Sequence, residues 1–307
     1  MTTAGTSTFN LDLNDLVEEA FERAGLELRT GYDLRTARRS LNLMTIEWAN
    51  RGINLWTIEQ GQIVMATGQA TYALPVNTID LLDQVIRTNN GTTNQSDINI
   101  SRISESTYST IPNKLTQGRP IQVWINRQTG QSNPTTSVTT ANVSTTDTTI
   151  TLNTTLGLAS AGFIQLDSEI IGYANVDGNQ LINCARGQAG TTTTAHNTGA
   201  SVTVQNLPSV NVWPTPAAPG DQYVLVYWRM RRIQDAGTGV TSQDIPFRFL
   251  PCMVAGLAYY VAMKRPEVDG NRVLALKAAY DEQFQLAADE DRDKAPARFV
   301  PRNLFYA

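Results

Sequence analysis

The first fifty residues have the apolar spacing of two amphipathic helices. Over residues 13–24, apolar side chains recur every three or four positions along one face, and Gly25 follows as a helix-ending glycine. Asp33 then stands where the N-cap of a second helix is expected. The same spacing continues through Trp48, and Gly52 follows it. The pattern therefore predicts a pair of helices joined by a short loop.

The polar faces of these two predicted helices carry opposite charges. The first helix is acidic on its polar face, whereas the second is basic. Such faces can pair with each other or with copies of each other in neighbouring subunits, and two solvated faces are the simpler alternative. The residues that we assign to a subunit contact are Glu18, Glu22, Arg35, Arg38 and Arg39.

Beyond Trp56 the apolar period changes from helical to alternating. A period of two is typical of strands, and residues 223–230 are apolar on both faces, as expected for a central strand. The other expected strands cover 62–67 and 70–74 as a hairpin, 79–87 and 121–126. A short helix is expected at 101–108, and two long helices are predicted at 247–264 and 271–292, where the helical period returns.

Residues 133–206 differ from their flanks in composition. Threonine occupies eleven of the 21 positions from 135 to 155, and the segment contains no lysine. After residue 161, short apolar alternations are separated by turn signals such as Asp177-Gly178. Frequent short strands with such turns predict a small all-β domain of the sandwich or barrel kind. A low-complexity stalk is the alternative, but the alternation is too regular for one.

The order of these segments predicts an α+β protein with one insertion. We expect residues 1–132 and 207–293 to form a helical body of four main helices with antiparallel strands, and residues 133–206 to form the inserted all-β domain. Residues 294–307 lack a helical period, contain two prolines and are expected to form an extended tail. The basic and aromatic residues of this tail are Lys294, Arg298, Phe299, Arg302, Phe305 and Tyr306.

Composition excludes several classes of protein. With 41% hydrophobic and 17% charged residues, the chain lacks the composition of an intrinsically disordered protein. No stretch approaches the roughly 20 apolar residues of a membrane span, and we expect no secretory signal in residues 1–10. The net charge of −4 argues against a general nucleic-acid binder, which is usually basic. Arginine outnumbers lysine by twenty to four, a bias that suits protein interfaces.

Candidate chemistry is sparse in this sequence. The two cysteines, Cys184 and Cys252, lie far apart, and His196 is the single histidine, which excludes a disulfide framework and a cysteine- or histidine-rich metal site. Asp167 and Glu169 share one strand face, but one such pair is weak evidence for the carboxylates of a glycosidase. We interpret the histidine and both carboxylates as structural, and we expect no catalytic site, no cofactor and no metal.

Six short motifs are spread over most of the chain. They are WANRGINLW at 48–56, YALP at 72–75, GRP at 118–120, VWPTP at 212–216, and IP at 245–246 followed by AGLA at 255–258. Their order resembles that of the head-to-tail adaptor proteins, also called tail tubular or neck proteins, of short-tailed bacteriophages. The segment 133–206 is similar to small β modules that are common in phage tail proteins, although simpler adaptors lack such an insert.

The resemblance implies a virion structural protein without catalytic activity. Proteins of this family form homo-oligomeric rings, typically dodecameric, between the portal protein and the tail nozzle protein, and viral DNA passes through the channel without specific binding. The basic and aromatic residues of the tail, 294–307, predict that it docks on the portal, and the resemblance agrees, since adaptors of this family engage the portal through C-terminal segments. The low charge and threonine-rich turns of residues 133–206 suit a surface that meets another protein, and we expect a tail fibre or spike there. Such a protein is assembled in the host cytoplasm and located in the virion tail or neck, without membrane contact.

Two other classes of protein stay open at this point. One is a cell-wall hydrolase carried in the virion, which requires acidic or histidine catalytic groups in a cleft. The other is a surface- or carbohydrate-binding protein built around the β insert. Only an adaptor is expected to form rings with the portal, so imaging of the purified protein distinguishes it from the other two.

Overall fold

The computed structural model describes residues 11–29, 31–128, 130–217, 223–238 and 240–292. The chain divides into two compact units. The first combines both ends of the chain, up to residue 57 and from residue 233, and the second comprises residues 58–232. The predicted domain boundaries at 132/133 and 206/207 both lie inside the second unit. Each unit has an apolar core of its own.

Four of the five α-helices in the described residues belong to the first unit. Three of these four have an apolar face and a polar face, whereas the helix that begins at Leu250 is buried on almost every side. The helices are α1 (Leu13–Ala24), α2 (Gly31–Asn50), α3 (Glu105–Ser109), α4 (Leu250–Ala262) and α5 (Gly270–Glu290). Helix α3 lies in the second unit and is only five residues long.

The sequence predicts where α1 ends and where α2 begins, and the two predictions have different outcomes. The end of α1 is confirmed, because Gly25 takes the left-handed conformation with a φ of 73° and its N–H donates back into the last turn. The predicted N-cap of α2 is wrong. Helix α2 begins at Gly31, so Asp33 lies within its first turn. The carboxylate of this aspartate pairs with Arg265 and also accepts a hydrogen bond from the backbone N–H of Arg29 at 3.3 Å.

The core of the first unit forms where α4 packs against α1, α2 and α5. Trp48 of α2 is fully buried there, and its Nε1 donates to the Tyr280 hydroxyl of α5 at 2.9 Å. Gly256 of α4 lies so close to α2 that a Cβ would stand 2.4 Å from the Sδ of Met44. The missing side chain therefore allows α4 to approach its neighbours closely.

All strands in the described residues belong to the second unit. They are mostly short, with an 11-residue strand as the longest. The strands are β1 (Ile58–Val64), β2 (Thr71–Ala73), β3 (Thr78–Thr88), β4 (Ser96–Asn99), β5 (Ser101–Arg102), β6 (Gln117–Gly118), β7 (Gln122–Asn126), β8 (Gln131–Val138), β9 (Thr149–Thr151), β10 (Gly162–Leu166), β11 (Glu169–Tyr173), β12 (Asn175–Asp177), β13 (Gln180–Ile182), β14 (Ser201–Asn206), β15 (Ser209–Trp213), β16 (Thr215–Pro216) and β17 (Tyr223–Arg231).

Two four-stranded sheets of the second unit share an apolar core. Their strand orders are β1-β17-β3-β4 and β2-β15-β7-β5. Strand β17 pairs antiparallel with both β1 and β3, which confirms the predicted central strand. Leu225 and Tyr227 of β17 lie in one apolar cluster with Val210 and Val212 of β15. Strand β5 runs parallel to β7, and β16 runs parallel to β6 in a small separate sheet.

Two further sheets are built entirely from residues 131–206. Their strand orders are β11-β10-β14-β8 and β12-β13-β9. Residues of both sheets, among them Ile164 and Leu181, share a second apolar cluster. The segment enters and leaves at one point, because the N–H of Gly130 donates to the carbonyl of Asn206 at 2.8 Å beside the pairing of β8 with β14.

The predicted fold class is wrong in its proportions and in the architecture of the insert. The chain has a mixed helix and strand content, with about 29% helix and 33% strand, so the strands are not a minor addition to a helical body. They form five sheets that include two parallel pairs, and within the described residues no sheet closes into a barrel. Strands β9 to β13 are only three to five residues long, and turn residues with positive φ, such as Asp167, Gly178 and Asn183, interrupt them. A barrel needs longer, continuously tilted strands.

Candidate functional site

The acidic face of α1 points outward because the opposite face is buried. Asp12 caps the helix, since its Oδ1 accepts a hydrogen bond from the backbone N–H of Asp15 at 2.9 Å and fixes the first turn. All six apolar positions of the predicted core face are buried. Glu18 and Glu22, which the sequence assigns to a subunit contact, are consequently exposed.

These acids border a groove with a volume of about 460 Å³, which we call the acidic groove. Within it, Glu19 pairs with Arg23 at 2.7 Å, whereas the described residues provide no ion pair for Glu18 or Glu22. The groove is lined by Leu11, Asp15, Glu18, Glu19, Glu22, Arg23, Leu250, Pro251 and Val254. It therefore combines an acidic wall with an apolar floor, part of which comes from α4.

The basic face of α2 borders a second groove, with a volume of about 440 Å³. The groove brings together all three arginines that the sequence assigns to a subunit contact. Its lining is Tyr32, Arg35, Arg38, Arg39 and Asn42. Further along the same helix, Leu43 and Ile46 are 58% and 57% exposed. Together, the exposed residues Tyr32, Arg35, Arg39, Leu43 and Ile46 form what we call the α2 stripe.

The positive charge of this face is uncompensated in the part of the chain that the structure describes. Arg38 donates to a backbone carbonyl at 3.3 Å and Arg39 to a threonine hydroxyl at 3.4 Å, both of them neutral acceptors. No described carboxylate pairs with these arginines or with Arg35. The pKa of Lys264 is lowered mainly by burial and, to a smaller extent, by the positive charge of Arg39. The face therefore offers a concentrated positive charge to another molecule.

The structure places the predicted contact residues in two separate grooves. Among the described residues, no ion pair joins Glu18 or Glu22 to the three arginines of α2, so both faces stay available for contacts with another molecule. That Leu250, Pro251 and Val254 complete the acidic groove was not predictable from the sequence, because these residues lie more than 200 positions after α1. The predicted portal-docking residues in 294–307 lie outside the described residues.

A second cluster of charged groups lies buried in the insert. Glu169 is fully buried and forms two bonds with Arg186, from Nε at 2.9 Å and from Nη2 at 2.7 Å. The Nε2 atom of His196 lies 2.8 Å from Glu169 Oε2, and its Nδ1 lies 2.8 Å from Oδ2 of Asp167. Burial alone would raise the pKa of Glu169, but the bonds from Arg186, His196 and two backbone N–H groups lower it to about 2.

This cluster brings His196 together with Asp167 and Glu169, which lie 27 or more positions away in the sequence. The imidazole of His196 is completely buried and faces a carboxylate at each ring nitrogen, so neither nitrogen is open to a substrate. Glu169 belongs to β11, whereas Arg186 and His196 belong to the connection between β13 and β14. The geometry is that of a buried crosslink between a strand and a long loop.

The rest of the described chain holds few groups with unusual chemistry. Burial raises the pKa of the Cys184 and Cys252 thiols to about 12, which keeps both protonated. Across the described residues, no group of three or more histidine, cysteine or acidic side chains is arranged to hold a metal ion. None of the described helices combines the length and the apolar character that crossing a membrane requires.

Comparison of the chain with protein-family models and with curated protein sequences finds no match. The order of the sequence motifs and the geometry of the acidic groove and the α2 stripe are therefore the features that bear on function.

Proposed function

We propose that this protein is a virion structural adaptor that forms a ring between the portal of a short-tailed bacteriophage and its tail nozzle. The order of the sequence motifs, which resembles that of such adaptors, supports the proposal. The structural observation that carries it is the presence of an acidic groove and a basic stripe on one folded unit, neither neutralised by the other. In this role the ring extends the channel for viral DNA, and the protein acts without a cofactor.

Opposite charges on separate surfaces favour a heterologous contact between copies. In such a contact the acidic groove of one copy receives the α2 stripe of the next, and repetition of the contact closes a ring when the rotation per subunit allows it. An exposed ion pair contributes only about 0.2–1 kcal/mol, so several pairs are needed at each contact. Burial of Leu43 and Ile46 against the apolar floor of the groove adds roughly 25 cal/mol per Å².

Reversal of the charge on either surface is expected to prevent assembly, and reversal of both in one chain is expected to restore it. The stripe variant is Arg35→Glu/Arg39→Glu, and the groove variant is Glu18→Lys/Glu22→Lys. Size-exclusion chromatography with light scattering and negative-stain imaging, with and without portal, report the oligomeric state. Rings of the combined variant would show a specific contact, because its two surfaces are complementary again. High salt should weaken the native ring, since the screening length falls from about 10 Å at 0.1 M to about 3 Å at 1 M.

The matched control is Arg29→Glu/Lys277→Glu, which reverses two exposed charges of the same unit outside both surfaces. It should assemble like the native protein. Normal rings of both single-surface variants, or a native protein that stays monomeric with portal present, would contradict the proposal. Hydrolysis of cell wall by the purified protein, lost in Glu169→Gln, would instead favour a virion-associated hydrolase.

The same proposal assigns roles to two further segments. The tail, residues 294–307, docks on the portal, and residues 133–206 receive a tail fibre or spike. The first assignment comes from the basic and aromatic residues of the tail and from the sequence resemblance, the second from the low charge and threonine-rich turns of the insert, and both stay predictions. The protein is accordingly assigned to the tail or neck of the virion, after assembly in the host cytoplasm.

A further inference from the structure

A cleft of about 250 Å³ lies in the second unit, between the sheet β2-β15-β7-β5 and the insert. A second cavity of about 240 Å³ adjoins it. The residues that line both are Thr71, Ala161, Gly162, Tyr173 and Asn211. None of the described residues that line the first cavity is charged, and the second includes one charged residue, Lys114.

The polar wall of this cleft follows from side-chain alternation in β15. Val210 and Val212 lie in the apolar core that the two large sheets share, which places Ser209 and Asn211 on the opposite face. Alternation alone suggests that such polar positions face solvent, yet Ser209 is 3% exposed and Asn211 is 7% exposed. The insert covers this face and turns it into the wall of a cleft.

Two side chains of this wall keep hydrogen-bonding capacity that the described residues leave unused. The Oδ1 of Asn211 accepts a hydrogen bond from the Thr71 hydroxyl at 2.6 Å, whereas its Nδ2 donates to no described residue. The hydroxyl of Ser209 likewise has no partner among the described residues. Among the described residues, the fully buried polar atoms without a partner are Arg38 Nε and Gln84 Oε1, so the two groups of this wall are accessible from the cleft and can bond water or a ligand.

Two aromatic rings provide an apolar surface beside these polar groups. Trp124 of β7 lines the cleft and stands opposite Asn211 in the pairing of β7 with β15. Its ring stacks on that of Tyr108, which lines the adjoining cavity, with centroids 5.3 Å apart and planes 24° apart. Both rings are partly exposed. Rigid aromatic side chains with polar neighbours are typical of small-molecule sites.

We propose that this cleft binds one or two residues of a neutral carbohydrate. Sugar hydroxyls both donate and accept hydrogen bonds, which matches the Asn211 Nδ2 group and the Ser209 hydroxyl, for which the described residues provide no partner. The C–H face of a sugar ring matches the exposed surface of Trp124. An uncharged lining disfavours phosphate, sulfate and carboxylate ligands, which are held by arginine, lysine or clustered N–H groups. The cleft shares no residue with the acidic groove or the α2 stripe, so this inference does not depend on ring assembly.

The test uses the labelled full-length protein on an array of neutral and acidic oligosaccharides, with a set of peptides as a third group. Each retained ligand is then studied by saturation-transfer NMR. We expect retention of neutral oligosaccharides and magnetisation transfer from aromatic protons to the sugar ring. Asn211→Ala removes a hydrogen bond to a sugar hydroxyl, and Trp124→Ala removes the aromatic surface beside the sugar ring. Each substitution is therefore expected to weaken binding about ten-fold or more.

A second kind of variant keeps the test valid if those substitutions disturb folding. Ala161 is exposed and lines both cavities, so Ala161→Trp fills the cleft without removing a buried hydrogen bond. Gln122→Ala, on β7 but outside the cleft lining, is the matched control and should bind like the native protein. Retention of only acidic glycans or only peptides, or undiminished binding by Ala161→Trp, would overturn the proposal. If no neutral oligosaccharide binds, the proposal is also overturned, and water is then the occupant of the cleft.

Discussion

At the scale of single residues, Glu169 connects three parts of the insert. Its carboxylate accepts hydrogen bonds from the side chain of Arg186 and from the backbone N–H groups of Gly187 and Thr194, at 2.9 and 3.0 Å. A buried ion pair stabilises the folded state little more than an apolar pair of similar volume does, but loss of one partner leaves the other charge buried and uncompensated. The cluster therefore fixes the conformation of the long loop more than it adds net stability.

The insert is expected to lose stability as the pH falls from about 4.5 toward 2. The pKa of Glu169 is about 2 in the folded protein, against an ordinary value of 4.5. Because the unfolded chain takes up the proton first, the contribution of this group is complete above the ordinary pKa and is lost as the pH approaches the folded pKa. Protection factors of the Gly187 and Thr194 amides in hydrogen exchange, compared at pH 7, 4 and 2.5, should fall with the pH.

Glu169→Gln tests whether this carboxylate causes the acid sensitivity. The variant should be destabilised by about 3–5 kcal/mol at pH 7, since it leaves Arg186 buried without its partner. It should also lose most of the pH dependence of protection at these amides. Asp177→Asn, on an exposed position of β12, is the control and is expected to change stability by less than about 0.5 kcal/mol. Equal acid sensitivity of Glu169→Gln and the native protein would contradict this account.

At the scale of elements, prediction succeeded where the deciding interactions are local. The bounds of α1 follow from its own apolar period and from Gly25, and the structure reproduces them. The start of α2 was misplaced because Asp33 pairs with Arg265, a partner from the other end of the chain. Similarly, the burial of Asn211 depends on a distant segment, because only the folded insert covers this face of β15.

Gly256→Ala is expected to destabilise the first unit by about 1–3 kcal/mol. A Cβ at this position would lie 2.4 Å from the Sδ of Met44 and 2.8 Å from the Cε2 of Tyr280. The methionine end can move, but the Tyr280 ring is held by the bond from Trp48. Chemical denaturation measures the loss. Gly270→Ala is the control, because nothing lies within 4 Å of a Cβ there, and it should be neutral or slightly stabilising. Equal stability of the two variants would show that α4 shifts freely.

At the scale of the whole molecule, the surfaces that we propose for assembly and for ligand binding belong to different units. The acidic groove and the α2 stripe are formed by residues of the first unit alone, whereas the cleft belongs entirely to the second. The insert contributes one wall of that cleft, including Phe163 and Tyr173. A change confined to the insert should therefore separate the two activities.

Deletion of residues 133–206 with a short linker is expected to preserve ring assembly and to abolish carbohydrate binding. The join is geometrically simple, because the chain enters and leaves the insert at one point, where the N–H of Gly130 lies 2.8 Å from the carbonyl of Asn206. The deletion exposes Ala73 and Leu207, which pack against Phe163, so some loss of stability of the second unit is expected. Negative-stain imaging with portal and the oligosaccharide array measure the two outcomes, and Ala161→Trp should match the deletion in both. Failure of the deleted protein to fold would show instead that the insert is part of the core of the second unit.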